Sequence, residues 1–135
     1  MTVADIIKVA RRILLDTVKP YRWTHEEMRE SLQMGISALH SIRPETMYVD
    51  DRLTDGIVLP EYDPEEDPDD EKAEIPIHRR FKEALAYYIC YMCYRVDDAD
   101  TVSFQQAEEY LGKFQTDGKR FDYDVADVIF REGLD

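Results

Sequence analysis

The chain has 135 residues with 30 acidic and 17 basic side chains, a formal charge of −13. That length is one domain, able to bury roughly two thirds of its unfolded surface. The 44% hydrophobic content excludes global disorder, and the acidity disfavours free nucleic acid and anionic membrane as partners.

No run of about 18 apolar residues is present, so no membrane span is expected. Met1-Thr2-Val3-Ala4-Asp5 has no basic stretch before an apolar core, so no secretory signal is expected either. A first helix is predicted over 3–17, with Val3, Ile6, Ile7, Ala10, Ile13 and Leu14 at helical spacing. Asp5, Lys8, Arg11, Arg12 and Asp16 fall mostly on its other face, which reads as solvated.

Pro20 is expected to stop that helix. Thr24 and Glu27 then form a capping box, in which the hydroxyl takes one orphan N–H and the carboxylate reaches back to another. Trp23 and Met28 are placed to staple the corner from either side of the cap. The second helix, over 24–42, carries the stripe Met28, Leu32, Ile36 and Leu39. Gly35 in its middle costs about 1 kcal/mol against Ala, which close packing on a neighbouring helix would offset. Pro44 ends it and pushes Arg43 out of the helical region.

Residues 47–59 read as one or two short strands around the turn Thr54-Asp55-Gly56. From residue 61 to residue 74 there are nine acids and one lysine. With its prolines, this acidic loop of Asp63, Glu65, Glu66, Asp67, Asp69, Asp70 and Glu71 reads as extended, mobile and solvated. Asp63, Glu65, Asp67, Asp69, Glu71 and Glu74 match the ligand spacing of a calcium loop, but Pro68 stands where that loop needs glycine. No metal is therefore expected.

A long third helix is predicted from near Pro76 to about residue 97. Phe81, Leu85, Tyr88, Ile89, Met92 and Val96 make one stripe, and Ala84, Tyr87, Tyr91 and Tyr94 an adjacent one. A helix apolar on most sides is buried on most sides. Tyr87, Tyr91 and Tyr94 are therefore either core or a seam between subunits. Asp97-Asp98-Ala99-Asp100 breaks this helix, and a fourth follows over 102–116 with Phe104, Ala107, Leu111 and Phe114 inward and Gly118 just past its end. In the last segment Phe121, Tyr123 and Val125 alternate as in an added strand, while Val125, Val128 and Ile129 also fit a short helix. Either way its apolar residues have no home inside a four-helix domain, as in a tail that docks on another chain.

No constellation for catalysis emerges. Cys90 and Cys93 lie inside an apolar helix and read as small buried hydrophobes, not as a redox or zinc pair. His25, His40 and His78 are scattered and pair with no carboxylate or cysteine at ligand spacing, with His25 expected at the surface. Glu26-Glu27 and Glu108-Glu109 look like exposed helix faces, and there is no phosphate-binding glycine loop and no nucleophile motif. The reading is a non-enzymatic, all-α, four-helix domain over 1–118, with an acidic, irregular insertion at 46–75 that includes a possible short hairpin, and an extended arm at 119–135. No cofactor is expected.

Two blocks of sequence carry a resemblance. The first is Ala10-Arg11-Arg12-Ile13-Leu14-Leu15-Asp16, then Tyr21-Arg22-Trp23-Thr24-His25-Glu26-Glu27-Met28, then Leu39-His40-Ser41-Ile42-Arg43-Pro44-Glu45. The second is Ala84-Leu85-Ala86-Tyr87-Tyr88-Ile89, then Tyr94-Arg95-Val96-Asp97-Asp98-Ala99-Asp100, then Ala107-Glu108-Glu109-Tyr110-Leu111-Gly112-Lys113-Phe114. In order and spacing they resemble the head–tail adaptor (connector, or neck) proteins of tailed bacteriophages. The middle departs from that family, whose members commonly carry a longer, strand-containing insertion between the helix pairs.

The resemblance implies a virion protein, assembled in the host cytoplasm, that forms a ring of about twelve copies beneath the portal. Such a ring extends the DNA channel without binding DNA specifically, and offers a platform to a tail or nozzle protein. Carried over to this chain, it makes residues 119–135 the portal-binding arm, with Phe121, Tyr123, Val125, Val128, Ile129 and Phe130 as apolar anchors. The runner-up is a small acidic helical binding module, a regulator or a mimic of nucleic-acid charge.

Overall fold

The computed structural model describes residues 1–63, 65–96 and 101–119. The expectations at 97–100 and 120–135, including all six arm anchors, lie outside the described residues, as does the side chain of Phe104. Among the described residues there are four α-helices: α1 (Val3–Leu14), α2 (His25–Ile42), α3 (Lys82–Val96) and α4 (Thr101–Lys119). Between α2 and α3 lie a 3-10 turn at Pro44–Met47 and a small antiparallel hairpin of β1 (Tyr48–Val49) and β2 (Arg52–Leu53). Two further 3-10 turns follow at Pro68–Asp70 and Arg79–Phe81.

α3 is the centre. It packs against α1, α2 and α4, most extensively against α4. Its buried face is Ala84, Leu85, Ala86, Ile89, Cys90 and Cys93. Met28, Leu32, Ile36 and Leu39 of α2 and Val3, Ile6, Ile7, Ala10 and Leu14 of α1 close over it. Each fully buried leucine or isoleucine contributes about 1.5–3 kcal/mol. Gly35 has the predicted role: a Cβ there would sit 3.1 Å from Tyr88 Cδ1, so the missing side chain lets the two helices approach. Tyr88 also meets the ring of Phe114 edge-on at 5.0 Å, which ties α2, α3 and α4 at one point.

Several boundaries differ from the sequence reading, each for a physical reason. Helix α1 starts on a capping box that the reading passed over. Asp5 N–H donates to Thr2 Oγ1 at 3.1 Å, and Thr2 N–H donates to Asp5 Oδ2 at 3.0 Å. That second bond, from the backbone, holds the Asp5 carboxyl below its usual range. The helix ends at Leu14, well before Pro20, because Leu15 turns left-handed at φ 57 and its N–H returns to the carbonyls of Arg11 and Arg12.

Arg11 and Asp16 are the cause of that early stop, and neither is on a solvated face. Both are buried, with Arg11 Nη1 2.7 Å from Asp16 Oδ2. Asp16 also accepts the N–H of Arg22 at 2.8 Å and of Trp23 at 3.3 Å, while Arg11 donates to the Trp23 carbonyl at 3.0 Å. The Arg11 guanidinium lies 3.8 Å over the Tyr21 ring. These bonds form only if the chain leaves the helix at Leu15 and folds back.

Thr24 caps α2 as expected, accepting from Glu27 N–H at 3.1 Å. The Glu27 carboxylate takes the Thr24 hydroxyl at 3.1 Å in place of the backbone N–H that a full box would use. Trp23 and Met28 join the same buried core, and Trp23 meets Tyr94 of α3 edge-on at 6.3 Å.

The hairpin turns at Asp50 and Asp51, not at 54–56. Both aspartates have positive φ, 50 and 63, a conformation that a short polar side chain tolerates. Pro76 precedes the third helix without joining it; the 3-10 turn at Arg79–Phe81 leads into α3 instead. Gly118 lies inside α4, not past its end. A Cβ there would meet Ile42 Cδ1 at 2.7 Å, so this glycine is a crossing point with the end of α2, reinforced by Arg43 Nε donating to the Gly118 carbonyl at 2.7 Å.

The buried pair gives a direct test. Asp16→Asn leaves Arg11 charged and buried without its counter-ion and is expected to cost about 3 kcal/mol. Urea unfolding followed by circular dichroism measures this; a loss below about 1 kcal/mol would place the pair in a surface-like environment.

Candidate functional site

The acidic segment is the feature most changed by the fold. It does not float; it is a strap held at three places. At its end it pairs with the N-terminus: Val3 N–H donates to the Ala73 carbonyl at 2.9 Å and Ile75 N–H to the Met1 carbonyl at 3.0 Å, around a bridge between Thr2 and Glu74. In its middle Asp69 lies 2.9 Å from Lys19 Nζ and accepts from the Tyr21 hydroxyl at 3.2 Å. The bond from Lys19 holds the Asp69 carboxyl below its usual range.

The third hold is Glu71, which is 2% exposed. One carboxylate oxygen is 2.8 Å from Arg29 Nε and the other 2.7 Å from His25 Nε2. Arg29 also donates through Nη2 to the Pro60 carbonyl, so one side chain of α2 grips both ends of the strap. The Tyr62 ring lies tilted beside His25 at 5.1 Å, and its hydroxyl donates to the Glu66 carbonyl. His25, expected at the surface without a carboxylate partner, is thus half-buried and paired across 46 residues of sequence.

Of the acids assigned to a solvated loop, Asp63, Glu65, Asp67 and Asp70 are exposed, Glu66 and Asp69 are half-buried, and Glu71 is buried. The carboxylates at calcium-loop spacing do not converge, since Asp69 faces Lys19 and Tyr21 while Glu71 faces Arg29 and His25. Among the described residues no group of three or more His, Cys, Asp or Glu side chains is placed to hold a metal ion.

His40 makes a second buried polar lock. Its Nε2 accepts the N–H of Ile57 at 3.1 Å, which assigns the proton to Nδ1. Nδ1–H then donates to Thr46 Oγ1 at 2.7 Å, and the Thr46 hydroxyl donates to the Arg43 carbonyl at 2.7 Å. Beside it, Gln33 clamps the same stretch, donating to the Ile57 carbonyl at 2.9 Å and accepting Leu59 N–H at 2.7 Å. Burial pushes the His40 pKa below its ordinary value.

The tyrosine face divides in two. Tyr87 and Tyr94 are half-buried and stack on Tyr110 of α4, at centroid distances of 6.4 and 5.7 Å. Tyr91 turns aside, with its ring 5.3 Å from Tyr88 and its hydroxyl accepting from Arg95 at 3.3 Å. Cys90 and Cys93 are buried, and burial pushes both thiols up, Cys93 to about 12. They fill the core as the sequence implied. Glu26, Glu27, Glu108 and Glu109 are exposed, also as read.

Comparison with protein-family models, with curated proteins and with solved structures returned no match. Among the described residues, no helix is long and apolar enough to cross a membrane.

Two outcomes test these locks. Glu71→Gln removes the carboxylate that pairs with Arg29 and bonds to His25, and is expected to raise amide exchange across 60–74 at least tenfold while α2 and α3 stay protected. Exchange mass spectrometry reads both; unchanged strap protection would show that Glu71 does not hold it. For His40, the neutral ring is the form that the fold uses. Its folded pKa lies below the unfolded value of about 6.5, so its contribution is complete above that value and is lost as pH falls toward the folded pKa. Unfolding free energy is therefore expected to drop between pH 7 and pH 5. His40→Gln should flatten the part of that slope due to this ring, and an unaltered slope would assign it elsewhere.

Proposed function

We propose that this chain is a structural virion protein, a head–tail adaptor that assembles beneath the portal of a tailed bacteriophage in about twelve copies. The observation that carries the reading is the sequence resemblance of the two blocks together with what the first block does physically. Arg11, Asp16, Tyr21 and Trp23, all within that block, form one buried lock that sets the corner between α1 and α2. The second block supplies α3 and α4, the central packed pair. The shared residues therefore specify a fold, as expected of family members that share architecture and not chemistry.

The titratable groups support a role without catalysis. Arg11 with Asp16, and His25 and Arg29 with Glu71, satisfy one another, and burial keeps both thiols protonated. The strap supports passage of DNA without adhesion. Its exposed acids, Glu61, Asp63, Glu65, Asp67, Asp70 and Glu74, are carried on a segment tied down at three points. Facing a channel, such a fixed anionic surface repels phosphates and lets the genome slide. The same fixed acids favour a second reading, an acidic module that occupies a basic protein surface, which would act without a portal.

Electron microscopy of the protein mixed with portal-bearing, DNA-filled heads of its own phage separates the two. The expected result is a ring of density under the portal, lost when residues 119–135 are deleted. Protein dispersed beside unchanged heads would discard the adaptor reading in favour of the acidic module.

A further inference from the structure

Two clusters of exposed apolar side chains lie at opposite ends of α2. Before its start, Leu15 is 88% and Val18 79% exposed. Around them Arg12, Lys19 and Arg22 are exposed; Lys19 is paired with Asp69 of the strap, and Asp16, the only acid between residues 12 and 22, is buried against Arg11. Beyond its end, Tyr48 is 53% and Leu53 63% exposed, directly paired across the hairpin so that they share one face. Val58, also exposed, lies back along α2, between the two residues that Gln33 clamps, and is not part of this cluster. Glu45, Asp50, Asp51 and Asp55 are exposed here, against the single exposed cation Arg52. The 18 residues of α2 hold the two clusters apart by roughly 27 Å.

We propose that these clusters are the two halves of one contact between copies of this chain, the cationic corner of one copy seating on the acidic hairpin of the next. The inference rests on the assembly reading and deepens it by naming the seam. Single exposed apolar residues carry no message; the opposite charge of the two surrounds does. Corner against corner would oppose like cations, and hairpin against hairpin like anions, so the symmetric pairings are disfavoured and the unlike pairing is selected. Separation along α2 prevents one copy from satisfying both of its own clusters. A contact that joins unlike surfaces propagates from copy to copy and closes into a ring when the rotation permits. Each cluster is small, so a single contact is weak and closure supplies the stability.

Sedimentation of the full chain at about 0.15 M salt tests this, where the repulsion between copies of charge −13 is screened beyond about 8 Å while close pairs persist. The wild type is expected to associate as concentration rises toward millimolar. Leu15→Asp and Leu53→Asp should each lower association roughly tenfold or more. Aspartate tolerates the left-handed backbone at position 15, and both sites are exposed, so the fold is retained. Mixed in equal amounts, the two variants each keep one intact half and should form a dimer that grows no further. Arg12→Glu serves as a second corner variant that leaves the apolar residues in place.

A wild type that stays monomeric, variants that associate as the wild type does, or a mixture that stays monomeric overturns the contact. The adaptor reading fails separately. Density under the portal with a monomeric free chain would overturn this seam alone. Complementary pairing of the variants without binding to heads would overturn the adaptor role and keep the seam.

Discussion

The fold depends on one buried ion pair, Arg11 with Asp16. Taking two charges out of water costs several kcal/mol per ion, which the pair offsets with further hydrogen bonds to the backbone of the corner. Asp16 collects the guanidinium and the N–H groups of Arg22 and Trp23; Arg11 adds the Trp23 carbonyl and lies over the Tyr21 ring. What it supplies is direction. An apolar pair of equal volume would bury as well but would accept many exit angles, whereas these bonds fix where α1 ends, how the chain doubles back and where Trp23 enters the core beside Tyr94. The start of α2, and so its approach to α3, follows from that.

The same device recurs at the strap. Glu71 brings a carboxylate from an irregular segment to an arginine on a helix, buries it, and spends both oxygens on Arg29 and His25. Asp69 repeats it more weakly at Lys19 and Tyr21, nearer to solvent. An anionic segment on a free tether averages its field over many positions. One tied to the α1–α2 corner, α2 and the N-terminus holds its charges in place, and a fixed field repels or attracts with a defined direction.

How much of this was legible depended on whether the cause was local. The stripe of α2, the cap at Thr24 and the role of Gly35 were readable because spacing alone carries them. Arg11 reads as solvated by its charge, but its position puts it on the apolar face: it stands four residues after Ile7 and three before Leu14. Leu15 in a left-handed turn has no signature, since glycine is the residue expected there. Glu71 could not be picked from nine acids, because its partners stand 46 and 42 residues away. Gly118 looked like a helix end for want of knowing that Ile42 crosses there. The hairpin turn was misplaced because Gly56 drew attention from two aspartates that also tolerate positive φ.

Charge sets the terms on which copies of this chain can meet. Each carries −13, so bringing copies together is opposed by their net fields. The opposition is uneven, because the corner exposes cations while the hairpin and strap expose acids. In the assembly proposed here, the corner is the surface on which an acidic neighbour meets least resistance. Asp69 is bound to Lys19 and Tyr21 of that corner, so the strap cannot drift across it. Part of the strap's charge is already neutralised where the corner meets it, and the rest is held along α2 by Arg29. The polar locks that order each copy therefore also fix where the strap meets the corner, and leave Leu15 and Val18 exposed there for the next copy.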